Sequence, residues 1–283
     1  MVLIDGKKVS AEVRACLAKE AKELKEKTGR VPGLATVLVG DDPASAVYVR
    51  NKNKICRELG FKSFEQKLSL DTSEAKLLNL IKELNSNNDI HGILVQLPLP
   101  NQIDSEKILQ AIDPNKDVDG FHPINVGKLV VGNALLTPCT PSGIIKLLDH
   151  YEIDISGKHA VVLGRSNIVG KPLSMLLLQR NATITICHSR TKNLEGITRS
   201  ADILVAAIGR ANFVTENMVR KGAIVIDVGI NRVDGKLTGD INFEPVSKKA
   251  SYITPVPGGV GPMTIALLME NTLKAFKKSI DIN

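Results

Sequence analysis

Tryptophan is absent from this 283-residue chain, and aromatic residues make up only 3% of it. The cores must therefore be filled by Val, Ile, Leu and Ala, and the usual stacking platform for single-stranded nucleic acid is missing. Paired cysteine spacings are missing too. Cys16, Cys56, Cys139 and Cys187 stand far apart with no C-x-x-C and no neighbouring histidine pair, which argues against a zinc site or a disulfide framework and suits a reducing compartment. The 5 histidines form no H-E-x-x-H or triad signature, so no metal is expected. No apolar run approaches the roughly eighteen residues of a membrane span, and Met1–Lys8 has no long apolar stretch with a cleavage site. These absences give the expectation of a cytoplasmic protein with no membrane partner.

What is present is a composition of 43% apolar and 24% charged residues, enough for two globular domains with cores of their own. The formal charge of +7 comes from 37 basic and 30 acidic side chains scattered along the chain. Lys19-Glu20-Ala21-Lys22-Glu23-Leu24-Lys25-Glu26-Lys27 alternates in sign, as a solvated helix face with charge pairs three or four apart would. No nucleic-acid partner is expected from such scatter. A modest basic excess instead favours anionic small molecules, phosphorylated cofactors included.

Short β-branched runs at 35–39 and 91–97 alternate with helical patterns near 9–28, 43–59, 73–86 and 104–111. Asp42 before Pro43 and Thr72 before Ser73-Glu74 read as helix starts. A stretch rich in Gly, Pro and turn residues, 113–123 and on to 137–141, interrupts this alternation and suits a connection between domains. Beyond it, four runs at 160–164, 183–187, 202–208 and 223–228 are apolar on both faces, as parallel strands covered by helices are. The fold class is α/β, with two α/β domains, the second a Rossmann-like doubly wound parallel sheet. Boundaries are placed at 1–138 and 139–262, with the C-terminal helix 263–283 returning to the first domain.

Gly164-Arg165-Ser166-Asn167-Ile168-Val169-Gly170 follows one of these strands and opens a helix. That is the context in which a glycine turn receives a pyrophosphate, the free N–H groups of the helix start facing its charge. The pattern is G-x-S-x-x-x-G, one residue longer than the dinucleotide fingerprint, and a structural turn is the competing reading. The next strand ends Cys187-His188-Ser189-Arg190, without the acid that binds ribose hydroxyls in NAD sites. Guanidinium and hydroxyl donors from Arg165 and Ser189 suit a 2′-phosphate, so NADP is expected over NAD; loop solubility explains Ser189-Arg190 otherwise. In Asp227-Val228-Gly229-Ile230-Asn231, backbone groups of Gly229 and Ile230 are placed to meet a nicotinamide amide, but strand termination alone accounts for the same sequence.

In the first half, Ser45, Tyr48 and Lys52 share a helical face by their spacing. A lysine beside a tyrosine can carry a proton or activate water, yet a lysine-rich chain produces such pairs by chance. Gln96 ends a strand, with its amide in a position to bond an amine such as that of Lys52. Asn115-Lys116-Asp117-Val118-Asp119-Gly120 resembles the opening of a calcium loop but has Val126 where the twelfth-position acid belongs. Asp117 and Asp119 are turn residues on one reading, while on another Asp119 pairs with an amidine-like N–H set on a heterocycle. His122 reads as a turn residue. The loop Pro255–Thr264 is richer in glycine than a helix lead-in needs, and a substrate-facing role is favoured.

Tyr48 to Lys52, Val95 to Pro100, Lys116 to Pro123, Gly164 to Gly170 and Pro257 to Thr264, taken in order, closely resemble the bifunctional methylenetetrahydrofolate dehydrogenase/methenyltetrahydrofolate cyclohydrolase (FolD) family. The resemblance runs nearly end to end. It implies a folate-binding catalytic domain, an NADP-binding domain and a cleft between them. It also implies oxidation of 5,10-methylenetetrahydrofolate to the methenyl cation and hydrolysis of that cation to 10-formyltetrahydrofolate. By the same resemblance Lys52 is the central catalytic residue, Tyr48 packs on the folate, Gln96 bonds the lysine and Asp119 holds the pterin. Val95, Gln96, Leu97 and the loop Pro257, Gly258, Gly259, Val260 and Gly261 border the substrate. Gly164, Arg165, Ser166, Ser189 and Ile230 contact the cofactor, and a homodimer is implied. Two rivals compete with this reading: an NADP dehydrogenase of the shikimate or amino-acid type, and a catalytically silent nucleotide-binding regulator.

Overall fold

The computed structural model describes residues 1–282. Its first half runs β1 (Val2–Leu3), α1 (Gly6–Thr28), β2 (Gly33–Val39), α2 (Pro43–Glu58), β3 (Lys62–Leu68), α3 (Glu74–Ser86), β4 (Gly92–Val95), α4 (Ser105–Ala111) and α5 (Pro123–Val130). The second half runs α6 (Cys139–His150), β5 (His159–Leu163), α7 (Gly170–Gln179), β6 (Thr183–Cys187), α8 (Leu194–Arg199), β7 (Ile203–Ala206), β8 (Ile224–Asp227), β9 (Asn231–Val233), β10 (Lys236–Thr238), α9 (Phe243–Ser247), β11 (Tyr252–Ile253) and α10 (Val260–Ser279). Contacts group these elements into two units. One holds Glu12–Cys139 with the chain from Leu268 onward; the other holds Met1–Ala11 with Thr140–Leu267.

In the first of these units β2 is buried along its whole length, which is why its sequence shows no polar alternation. It lies between β3 and β4 in a parallel sheet, with Val37 opposite both Gln66 and Val95. Ala35, Val37, Ile93 and Val95 pack against Leu77, Ile81 and Leu84 of α3 and Ile108 of α4. The strand β3 was not expected, because Lys-Ser-Phe-Glu-Gln-Lys-Leu is a half-exposed edge carrying polar residues rather than an apolar run. The turn-rich stretch expected to connect domains holds a helix of its own, α5, whose start is capped by His122. Asp117 within that stretch also bridges to Ile93 in parallel register.

The other unit is a six-stranded parallel sheet in the order β1-β11-β8-β7-β5-β6. The chain passes from β5 to β6 on one side and then returns to β7 on the other, so the winding reverses between β5 and β7. In open sheets of this kind that reversal is where ligands bind, beyond the carboxyl ends of the strands. Residues 1–11, assigned from sequence to the first domain, group here because Val2 and Leu3 pair with Tyr252 and Ile253. A two-residue edge strand leaves no hydropathy signature.

Candidate functional site

Helix α2 begins where the sequence suggests. Asp42 accepts the Ser45 N–H at 2.7 Å and Pro43 fills the first turn, which needs no N–H from it. The helix buries Ser45, Val49, Lys52, Asn53 and Cys56. The expected face is therefore split, with Ser45 and Lys52 inside and Tyr48 38% exposed. Lys52 is 9% exposed, and its Nζ donates to Gln96 Oε1 at 3.0 Å. Gln96 is oriented for this contact because its Nε2 donates to Leu97 O at 2.6 Å and its N–H to Val37 O at 2.9 Å. Next to Lys52 in the chain, Asn53 accepts from Thr36 Oγ1 at 2.9 Å, pinning the helix to the central strand. The signal for that anchor was a lone threonine inside an apolar strand. Val95, expected beside the substrate, packs its side chain in the core, whereas Gln96 and Leu97 are half-buried.

Asp117, read from sequence as a turn residue, is 1% exposed and organises its loop. Its carboxylate accepts the N–H groups of Gly120 (3.2 Å) and His122 (2.8 Å) and the Asn125 amide (2.9 Å). The Val118 carbonyl between the two aspartates accepts from Asn271 Nδ2 at 2.8 Å and from the Cys139 thiol at 3.2 Å. Gly120 takes φ +73°, and a Cβ there would stand 2.6 Å from Pro138 N, so the turn admits no side chain. This frame presents Asp119, which is half-buried. Burial raises its carboxyl to about 6, against the pull of the Lys52 charge, while the Asp117 charge adds to the rise.

In the other unit, Gly164 leaves β5 with φ +122°, and a Cβ on it would stand 2.2 Å from Ala207 O at the exit of β7. The glycine turn thus lies at the reversal of winding. Val169 and Gly170 N–H groups, expected to face a phosphate, donate instead to Ser166 Oγ at 3.1 and 3.3 Å. Arg165, Ser166 and Ser189 are exposed. Leu163 and Cys187 pair across β5 and β6, so Arg165 and Ser189 follow neighbouring strand ends. The segments 164–170 and 187–190 carry cations and hydroxyls and hold no Asp or Glu, a donor set that fits an anionic 2′-phosphate. Ile230 is 49% exposed just after β8, with Cδ1 3.8 Å from where a Cβ on Gly261 would stand.

The loop from Pro257 is held against the start of α1. Lys7 N–H donates to Gly258 O at 3.1 Å, and a Cβ on Gly6 would strike Gly259 O at 1.7 Å. Sequence reasoning did not mark Gly6. Gly258, Gly259 and Val260 are buried, while Pro257 is exposed. Among the described residues no group of three or more His, Cys, Asp and Glu is arranged to hold a metal, and no helix is long and apolar enough to cross a membrane.

Residues 4–119 match the model of the tetrahydrofolate dehydrogenase/cyclohydrolase catalytic domain, and residues 138–280 match that of its NAD(P)-binding domain. The bifunctional protein FolD of Streptococcus gordonii is 57% identical over 280 residues, covering 99% of each chain. Among solved structures, the bifunctional FolD enzyme of Campylobacter jejuni superimposes with a TM-score of 0.96 at 52% identity, covering 98% of this chain and 99% of its own. The Trypanosoma brucei enzyme, solved with NADP cofactor and an inhibitor, gives 0.95 at 40% identity, covering 99% of this chain and 98% of its own.

The Asp117 frame yields the first prediction. Asp117→Ala leaves buried donors without an acceptor and should lower stability by about 3 kcal/mol in urea unfolding followed by circular dichroism. Asp117→Asn, which keeps one acceptor oxygen, should lose less. An alanine variant within about 0.5 kcal/mol of the parent would contradict this account of the loop.

Proposed function

Because the chain belongs to the tetrahydrofolate dehydrogenase/cyclohydrolase family, we propose that Lys52, Tyr48, Gln96 and Asp119 form its reaction centre and that Arg165 and Ser189 bind the cofactor phosphate. The enzyme oxidises 5,10-methylenetetrahydrofolate to 5,10-methenyltetrahydrofolate with NADP and hydrolyses the product to 10-formyltetrahydrofolate, an interconversion of one-carbon metabolism. NADP supplies the hydride acceptor when bound. The observation that carries the assignment of residues is the buried Lys52 held on Gln96, close enough to Asp119 for its charge to act on that carboxyl.

In the hydrolytic step water attacks the methenyl carbon and loses one proton, and the adduct then breaks its bond to N5 as its hydroxyl proton is lost and N5 takes up a proton, leaving the formyl group on N10. Lys52 serves this step by taking the proton as a neutral amine or by orienting the water as an ammonium donor. Gln96 Oε1 fixes the nitrogen in either state. Ionised Asp119 accepts the paired N–H groups of the pterin's amidine-like edge, and Tyr48 offers an accessible ring to its face. Val95, Leu97 and the loop Pro257–Gly261 complete the substrate surroundings on this reading, and Gly164, Ser166 and Ile230 those of the cofactor. Assignment of folate to the unit bearing Lys52 and of NADP to the other unit is supported by the matched domain models. A cytoplasmic homodimer belongs to the same reading, supported by free thiols and by the exposed Val233 and Leu237 on the β9–β10 hairpin.

Lys52→Met should abolish hydrolysis of the methenyl substrate, followed by its absorbance, with a less uniform effect on NADPH formation. A fully active cyclohydrolase in that variant would sink the assignment. Asp119 is mostly ionised at neutral pH and half-protonated near 6. Folate affinity should therefore fall as pH drops through about 6, and in Asp119→Asn it should be weak and flat across the same range by titration calorimetry. Arg165→Ala should raise KM for NADP at least about tenfold more than for NAD, and equal effects on the two would remove its phosphate role.

A further inference from the structure

Resting on the placement of Ile230 at the nicotinamide end, we propose that Asp240 is a positioning residue for the nicotinamide half of NADP, acting through the backbone of two strand exits. Asp240 is fully buried, yet it collects donors from both exits. Its Oδ2 accepts the N–H groups of Ile208 (2.7 Å) and Gly209 (3.0 Å), just beyond β7. Its Oδ1 accepts the Arg210 N–H (2.8 Å) and the Asn231 side-chain amide (2.9 Å), the latter just beyond β8.

Asp227, the last residue of β8, completes the frame. Its Oδ1 accepts the N–H groups of Gly229 and Asp240, each at 2.9 Å, and its Oδ2 that of Ile241 at 3.0 Å. Its own N–H donates to Thr254 Oγ1 at 2.7 Å, directly after β11. The two carboxylates also press on glycines. A Cβ on Gly229 would stand 2.3 Å from Asp240 Oδ1, and one on Gly239 would stand 1.9 Å from Asp227 Oδ2. The exits of β7, β8 and β11, adjacent in the sheet, are thus tied together by buried charge.

What this frame displays is Ile230. The residue before it donates its N–H to Asp227 and the residue after it donates its amide to Asp240, while the Ile230 side chain stays 49% exposed. On the opposite side of the frame, the β7 exit abuts the glycine turn through Ala207 O and Gly164. Ending a strand needs no buried charge, and burying one is costly unless its lone pairs are filled. Here they are filled by groups whose common effect is to fix the backbone around an exposed apolar side chain at the carboxyl edge. Such fixing lowers the ordering cost when a ligand arrives.

The test compares binding of NADP with that of 2′,5′-ADP, which keeps the phosphate end and lacks nicotinamide, by titration calorimetry on the full chain. Asp240→Asn should raise the Kd for NADP about tenfold and that for 2′,5′-ADP by less than about twofold. Unchanged NADP affinity, or equal weakening of both ligands, would overturn the proposal. Should Asp240→Asn fail to fold, Asn231→Ala removes one donor from a half-exposed position and should cost about threefold on NADP alone; no selective loss there overturns it equally. Ile230→Ala separates the two levels of the argument. If it too leaves the ratio unchanged, the placement of Ile230 fails and this inference with it; if it shifts the ratio and Asp240→Asn does not, only the role of Asp240 fails.

Discussion

The hydrogen bond from Lys52 to Gln96 joins a helix to a strand exit, and the first unit is arranged so that the two can meet. β2 lies beside β4 in parallel register, so Gln96 emerges next to the residue from whose strand α2 departs. The Asp42 cap sets the start of α2, and the Thr36–Asn53 bond seats the helix on the sheet one residue past Lys52. A lysine amine buried in this way is restrained at both ends. Its backbone is fixed by the helix and its nitrogen by an amide that is itself held by Leu97 O and Val37 O. The position of the amine then follows from sheet register rather than from a flexible side chain finding its partner.

Sequence made part of this legible. Runs apolar on both faces announced the central strands, and Asp42-Pro43 announced the start of α2, because burial on two sides and a first turn without donors each leave a local mark. Lys52 with Gln96 is different: 44 residues separate them, and helical spacing alone did not lift Lys52 above chance. Asp240 left no mark at all, since its importance lies in donors about thirty positions away that only the sheet brings together. Edge strands were lost for another reason. β3 is polar on its open side, and β1 and β11 are too short to show a period.

Two groups of carboxylates have proton affinities displaced in opposite directions. Asp42, Asp71 and Asp89 are exposed and Glu74 is half-buried, and hydrogen bonds from nearby N–H groups, hydroxyls or lysines lower their pKa values. Their contribution to folding is present above the ordinary carboxylate range and is lost as pH falls. Asp119 and Asp227 behave oppositely, burial raising each to about 6. Between the ordinary range and about 6 the native state binds their protons more firmly than the unfolded chain does. Their contribution is therefore most favourable at low pH and is lost as pH rises through 6. At neutral pH the ionisation of these two acids therefore subtracts from folding stability.

The two raised acids differ in what surrounds them, and the difference separates their uses. Asp227 has its lone pairs taken by three backbone donors, which pull its proton affinity down against the effect of burial. Asp117 is filled in the same manner by Gly120, His122 and Asn125. For Asp119 the governing influences are burial and the charges of Lys52 and Asp117, with no hydrogen bond entering the balance. A carboxylate saturated by backbone N–H groups holds a loop in place but has little left to offer a ligand. One governed by burial and by neighbouring charges, as Asp119 is, has spent none of its acceptor positions on the backbone donors that saturate Asp117 and Asp227. In this chain Asp117 and Asp227 hold the framework, and Asp119, the same chemical group, differs from them in how many of its acceptor positions the protein itself has filled.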